Sequence, residues 1–418
     1  MQKRKKKPNQ VHQQKVNTAH ARNEFMAHLK HFCDEVSSPD ITKLIPAADF
    51  DLMYTARFHA LRVAAAPDHH VAPLKKIKEW VTYKYRTEMM PLGVGKVTEM
   101  PYHDYFTFGI TLIQYANFLK EDAYPDADVV KKALAPLAAY AEGELHDRGW
   151  NILNKQLMGI VLMFSELMDK LYTFRLERKL NVNDVHGLFT YMEIYALQTE
   201  TVDVTIEGNT RPAYRIAFAI GEPTVHLEFI TIKSEEVGLR AGFSLDVYIQ
   251  AHALARLHER MDGIPDSVLH FNAFESFKYL KVCKNKKGDL LFEYRLYNNK
   301  TGYFKGDIID GRVILRTFLF LTNNGTPEGE KLNASTGIMK EDKIHLNIDK
   351  FSTFVNSDIV SNDRLKNIFI NAGCRSLLEI HKNMIFPDDI MKEKTIAAGI
   401  AKHLSLDTEN PDVLDANL

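Results

Sequence analysis

The stretch Ser244-Leu-Asp-Val-Tyr-Ile-Gln-Ala-His-Ala-Leu-Ala-Arg-Leu-His-Glu-Arg-Met-Asp262 passes from a strand into a helix without a break. Ser244 to Ile249 reads as a strand, and the residues after it recur at helical spacing. On that helix His252, Arg256 and Arg260 stand four residues apart and form one stripe. Leu254, Leu257 and Met261 form another on the opposite side. An imidazole and two guanidiniums on the outer face suit an anionic partner, phosphate first.

Upstream, the pattern from Asn23 to about Leu180 is helical. In the segment from Asn151 to Arg178, Leu153, Leu157, Ile160, Phe164, Leu167, Leu171 and Phe174 recur at spacings of four and three, the seam of a packed helix. Tyr105, Phe108, Leu112, Tyr115 and Leu119 repeat the spacing between Pro101 and Pro125. Further helices are expected over 23–36, 48–65, 72–88 and 126–144, the last with Asp126 as N-cap and Pro136 as an internal kink. Leu92-Gly-Val-Gly-Lys-Val-Thr98 lacks the spacing of a phosphate loop and reads as a turn between helices. These segments predict an N-terminal all-α bundle over 23–184. Its 153–174 seam serves equally for packing inside one chain and for self-association.

Near Val185 the texture changes. Thr201 to Glu207, Tyr214 to Ile220 and Val225 to Ile232 predict a three-stranded antiparallel meander within 200–233. A helix-plus-sheet unit comes next over 244–322: the strand from Ser244, the His252 helix, helical turns around Phe271 to Phe277, then strands from Tyr279 to Leu321. Lys286-Lys-Gly-Asp289, Asn298-Asn-Lys300 and Asp310-Gly311 supply hairpin turns. Short helices return over 327–403, and Lys350 to Asp358 carries two aromatics suited to core packing. The expected fold class is α+β: the all-α bundle, then an antiparallel-sheet α+β region over 185–403.

With 418 residues the chain predicts two domains. Lys and Arg number 53 against 54 Asp and Glu, so the net charge of −1 gives no overall attraction to polyanions. The charge is unevenly placed, however. Residues 1–22 carry Lys3, Arg4, Lys5, Lys6 and Lys7 with no acidic residue and predict a disordered basic tail; residues 404–418 predict an acidic one. Lys3 to Lys7 would attract nucleic acid through counterion release, or serve as a solvated tail. The scattered Cys33, Cys283 and Cys374 fit neither a disulfide framework nor a cysteine zinc site. No long apolar run or secretory signal core is present, so the expectations are a cytoplasmic location, no membrane partner and no cofactor. His69-His70 reads as an exposed loop pair, since adjacent side chains diverge.

Metal-independent RNA cleavage requires a group to take the 2′-hydroxyl proton, another to protonate the leaving oxygen, and cations to hold charge on phosphorus. His252 fits the proton carrier, Arg256 and Arg260 a phosphate clamp, and Arg295, Arg312 or Arg316 the rest of a cationic pocket. The string His-Ala-x-x-Arg-x-x-x-Arg from His252 to Arg260, followed by short antiparallel strands ending in Val313-Ile-Leu-Arg-Thr-Phe318, resembles the RelE-like bacterial ribonuclease toxin domains. The resemblance covers about Ser244 to Thr322. It implies a leading helix packed on a curved antiparallel sheet, with basic residues of both acting on RNA. Arg256 and Arg260 match the pattern, and Arg316 matches loosely.

Two functions are therefore expected: an RNA-binding or ribonuclease protein of bacterial toxin type, or a non-enzymatic interaction protein of a mobile element or phage. The arginines discriminate. Convergence of Arg256, Arg260, Arg295 and Arg316 on one concave surface favours the nuclease, and pairing of each with a carboxylate favours the scaffold. Asn323, Asn324 and Glu330, in a turn-rich loop before a helix capped by Thr326, are expected either to face the same pocket as Arg256 or to serve as a connector.

Overall fold

The computed structural model describes residues 8–38, 40–167, 170–180, 188–355, 358–380 and 397–404, without the side chains of 8–18, 60, 180 and 188. They form two compact units, one within 1–161, 173–196 and 221–225, the other within 162–172, 197–220 and 226–418.

The first unit contains α1 (Pro8–Val36), α2 (Ala47–Ala56), β1 (His59–Ala65), α3 (Leu74–Thr87), β2 (Met89–Val94), β3 (Val97–Pro101) and α4 (Tyr102–Asp104). A π-helical turn, Tyr105–Gly109, leads into α5 (Ile110–Phe118), α6 (Ala127–Tyr140) and α7 (Glu144–Leu162). Burial follows helical spacing: Ile77, Val81 and Tyr85 on α3; Val130, Leu134 and Leu137 on α6; Leu153, Leu157 and Ile160 on α7. Asp126 precedes α6 but makes no side-chain cap, and Pro136 lies inside that helix on an exposed position.

Three features correct the all-α expectation for 23–184. The seam helix stops at Leu162, and Lys170–Leu180 is a strand, β4. With β5 (Leu188–Gln198) it forms a three-stranded sheet in the order β1-β5-β4, where β1 runs parallel to β5. Leu171 and Phe174 are buried as the periodicity required, but on a strand rich in β-forming Tyr172 and Thr173. The Leu92 to Thr98 stretch is the turn of the β2–β3 hairpin, not a link between helices. Leu153, Leu157 and Ile160 of the seam are buried within the single chain, as packing inside one chain requires. The expected tail over 1–22 is helical from Pro8, where Gln, Lys, Ala and Arg favour the helix and no breaker intervenes. Lys3, Arg4, Lys5, Lys6, Lys7 and the acidic 405–418 lie outside the described residues.

The second unit is built on β6 (Thr201–Ile206), β7 (Asn209–Arg215), β8 (Ala217–Ile220), β9 (His226–Phe229), β10 (Thr231–Lys233) and β11 (Ser244–Gln250). Next come α8 (Ala251–Arg260), α9 (Asp266–Lys278), β12 (Val282–Lys284), β13 (Leu290–Leu296), β14 (Asn299–Ile309) and β15 (Arg312–Phe320). Short helices close the chain: α10 (Pro327–Thr336), α11 (Lys340–His345), α12 (Phe351–Val355), α13 (Asp363–Asn371), α14 (Arg375–Glu379) and α15 (Ala397–His403). Meander and second sheet are one sheet, in the order β12-β13-β14-β15-β11-β7-β6 with β10 beside β11. Its expected antiparallel character holds except at the centre, where β11 and β15 run parallel, because β15 returns beside β11 only after α8, α9 and three further strands. The meander's longer runs divide at Ile216 and Ile230, so β8 and β9 pair separately.

Three hairpin turns have two central residues at positive φ, as type I′ turns demand: Glu207-Gly208 (52° and 78°), Tyr297-Asn298 (46° and 66°) and Asp310-Gly311 (48° and 71°). One sheet face, with Leu245, Val247, Ile249, Val313 and Leu315, packs on Leu254, Leu257 and Met261 of α8 and on the later helices. Phe351 and Phe354 join this core as expected. The opposite face carries a smaller apolar patch of Val204, Ala213, Tyr248 and Ile314.

Candidate functional site

Strand alternation determines what stands beside that smaller patch. Arg211 lies opposite Val204, Gln250 opposite Ala213, and Ile206 and Arg316 are each two residues on from a patch residue. They share its face. In the β14–β15 ladder, Lys305 pairs with Thr317 but Gly306 pairs with Leu315, so Arg316 is the inserted residue of a β-bulge. A bulge lets two consecutive residues look the same way, and both Arg316 and Thr317 line the pocket. Gly306 accommodates the close approach, since a Cβ there would meet a Phe292 ring carbon at 2.9 Å and the Ile314 carbonyl at 3.1 Å. His252 enters from the first turn of α8, directly after β11 ends. The resulting pocket of about 320 Å³ is walled by Arg211, Gln250, His252, Lys305, Arg316 and Thr317, with Ile206, Glu207 and Asn209 from the β6–β7 turn.

Three permanent cations therefore face one carboxylate in the wall. Arg316 donates to Asp307 at 2.6 Å and lies 3.7 Å from Glu207; the Asp307 hydrogen bond raises its pKa. Lys305 lies 2.8 Å from Asp289, whose pKa is lowered mainly by that contact. Neither aspartate belongs to the wall. Arg211 is exposed and has no ion pair among the described residues. Loss of water, followed by the charges of Arg256 and Arg211, lowers the His252 pKa below its usual value of 6.5. These surroundings disfavour the imidazolium form.

Gln250 is 4% exposed, and its carboxamide makes no hydrogen bond among the described residues while the residue lines the pocket. Its acceptor and two donors are therefore open to an incoming donor–acceptor pair. Thr317 likewise contributes a hydroxyl without a partner among the described residues.

The residues expected to act together separate. His252 and Arg316 share the pocket. Arg256 pairs with Glu259 one turn along α8. Arg260 is drawn into the core, where it pairs with Asp349, 1% exposed; Asp262 nearby accepts from the Ser352 backbone at 2.9 Å and its hydroxyl at 2.8 Å. These contacts fasten the end of α8 to Asp349 and to the first turn of α12. Arg295 pairs with Glu293 at 2.5 Å and does not line the pocket. Arg312 stands on the open face with its guanidinium 5.7 Å from the Tyr248 ring centre, outside the pocket wall. All four discriminating arginines thus carry a carboxylate, the outcome expected of the interaction protein rather than of a nuclease clamped by these arginines, and only Arg316 reaches the pocket. The clamp of Arg256 and Arg260 is absent because one is neutralised and the other buried.

The 323–331 loop serves as a connector, the second of its two expected roles, and does not line the pocket. Thr326 caps α10 by accepting from Gly329 N at 2.9 Å, and Glu330 accepts from Gly325 N at 2.8 Å. Asn324 accepts from the buried Lys343 at 2.8 Å, and burial lowers that lysine to about 8. Among the described residues no group of three His, Cys, Asp or Glu is placed to hold a metal ion. The half-buried His258 and the buried His270 bring two Nε2 atoms to 3.2 Å, and burial, with His258 second, lowers His270 to about 4. No described helix is long and apolar enough to cross a membrane.

Sequence reasoning passed over Arg211, Gln250, Lys305 and Thr317. Gln250 occupies the last strand position before α8, where a polar residue ending an apolar run was a usable signal. The others depend on strand neighbours far apart in sequence and on the bulge. Comparison of this chain with protein-family models, with curated proteins and with solved structures gives no match.

Proposed function

We propose that the second unit binds single-stranded RNA, seating its phosphate backbone among Arg211, Lys305 and Arg316. The observation that carries this reading is the convergence of three cations, an imidazole and a carboxamide without a hydrogen bond among the described residues on one pocket, against the single carboxylate of Glu207. Guanidinium and ammonium groups meet phosphate by charge-assisted hydrogen bonds, and a phosphodiester brings a base and sugar for the neutral polar groups. Arg312, farther along the same face, extends the basic track. The test is fluorescence anisotropy of a labelled RNA oligonucleotide titrated with the full chain at several salt concentrations. Neutralisation of backbone charge by three cations predicts a log–log salt slope of about −2, falling in magnitude in Arg211→Ala and Lys305→Ala. Absence of binding at low salt rejects RNA binding and leaves the interaction-protein reading.

The place of His252 beside Arg316 in the pocket wall favours a second reading, metal-independent ribonuclease action. His252 takes the proton of a 2′-hydroxyl, the 2′-oxygen bonds to phosphorus, the bond from phosphorus to the 5′-oxygen breaks, and water protonates the departing oxygen. Cleavage of a labelled oligonucleotide to a 2′,3′-cyclic phosphate, lost in His252→Ala, is the expected result. Intact RNA bound by the chain restricts the function to binding.

A further inference from the structure

We infer that the pocket accepts one nucleotide at a time and selects adenine, with the Gln250 carboxamide as its reading group. This rests on the phosphate-binding role of the same pocket and adds the identity of the nucleotide. The volume of about 320 Å³ lies at the small end of ligand pockets and suits a single nucleotide rather than a duplex. Its wall separates into charged groups for a phosphate, led by Arg211 without an ion pair, and neutral groups for the rest of the ligand, Gln250 and Thr317.

Gln250 is the informative member. It follows Ile249 at the end of the central strand, where its backbone is fixed opposite Ala213 and burial is nearly complete. A carboxamide offers one acceptor and two N–H donors in a plane, and both functions are unused among the described residues. Adenine presents the N6 amino donor and the N7 acceptor side by side, the edge with which glutamine forms a bidentate pair. Guanine presents two acceptors there and calls for an arginine or lysine fork. Arg316 and Lys305, the cations of the wall that could supply such a fork, are engaged with the phosphate in this site. A ligand without the complementary edge forfeits both bonds to the carboxamide, which is the source of the discrimination.

Calorimetric titration of the full chain with AMP, GMP, CMP, UMP and ribose 5-phosphate tests the inference. AMP is expected to bind at least about tenfold tighter than ribose 5-phosphate and tighter than the other three nucleotides. Gln250→Met, similar in length and lacking the amide, brings the ratio of AMP to ribose 5-phosphate affinity close to one, whereas Arg211→Ala weakens both ligands and preserves their ratio. Equal binding of AMP and ribose 5-phosphate by the wild-type chain, or tightest binding of GMP, overturns adenine selection while leaving phosphate binding in place. Failure of all five to bind removes the phosphate site itself. The wild-type panel decides between these outcomes even if Gln250→Met does not fold.

Discussion

Arg260 on α8 and Arg316 on β15 each pair with an aspartate, but their surroundings differ. The side chains of Arg260 and Asp349 are 11% and 2% exposed, and those of Arg316 and Asp307 are 29% and 33% exposed. The buried pair ties a helix end to the core, whereas the half-buried pair stands at a bulge in a pocket wall. Alike in sequence, the two arginines do different work because burial determines whether a cation retains access to a ligand. The same contrast separates Arg256, paired on its own helix, from Arg211, exposed and without an ion pair among the described residues.

The largest effect should come from disrupting the buried pair. Arg260→Ala leaves Asp349 charged and nearly inaccessible, which predicts a loss of about 3–5 kcal/mol in urea unfolding. Arg316→Ala, with solvent screening its partner, should cost less than about 1 kcal/mol in the same experiment. Comparable losses for both would erase the distinction between anchor and pocket wall.

Acid should act next, through the inner side of α8, where His258 meets His270. The unfolded chain binds the His270 proton near 6.5 and the folded chain only near 4, so between those values the unfolded state carries more protons. The contribution is fully present above about pH 6.5 and is lost as pH falls through 4, on the order of 3 kcal/mol in all. Urea midpoints from pH 7 to pH 4 should show this decline, and His270→Gln should reduce it. His258 and Asp266 face the same group, and an unchanged slope in the variant would transfer the effect to them.

Binding variants address the exposed side. Arg211→Ala should weaken RNA binding about tenfold, the scale of one charge-assisted contact to phosphate, with little change in stability. Arg256→Ala should be the mildest change, within about 0.5 kcal/mol of wild-type stability, since an exposed pair one turn apart contributes little. Anisotropy and urea unfolding of the two variants side by side check both numbers.

The parts of the fold carried by local rules were legible. Strict alternation located β6, the change from strand to helix located β11 and α8, and Asp310-Gly311 marked its hairpin. The opposed stripe of Leu254, Leu257 and Met261 is buried as its spacing required. Parts decided by distant partners were not legible: β4 satisfies a helical seam and a buried strand equally well until β5 lies beside it. Of the site, His252 and Arg316 could be named, but not the company they keep. Asp349 lies 89 residues from Arg260, and nothing in Val313 to Phe318 marks the bulge that turns Arg316 and Thr317 to one side.

Whether the anion is received by the open face of the sheet or by the outer stripe of α8 can be decided in a single assay. Affinity for one labelled RNA oligonucleotide is measured at one fixed salt concentration for the Arg211→Ala, Lys305→Ala double variant and for Arg256→Ala. Reception by the sheet face predicts a loss of more than about tenfold for the first and wild-type affinity for the second. A large loss in Arg256→Ala with binding retained in the double variant would place the anion on the helix instead.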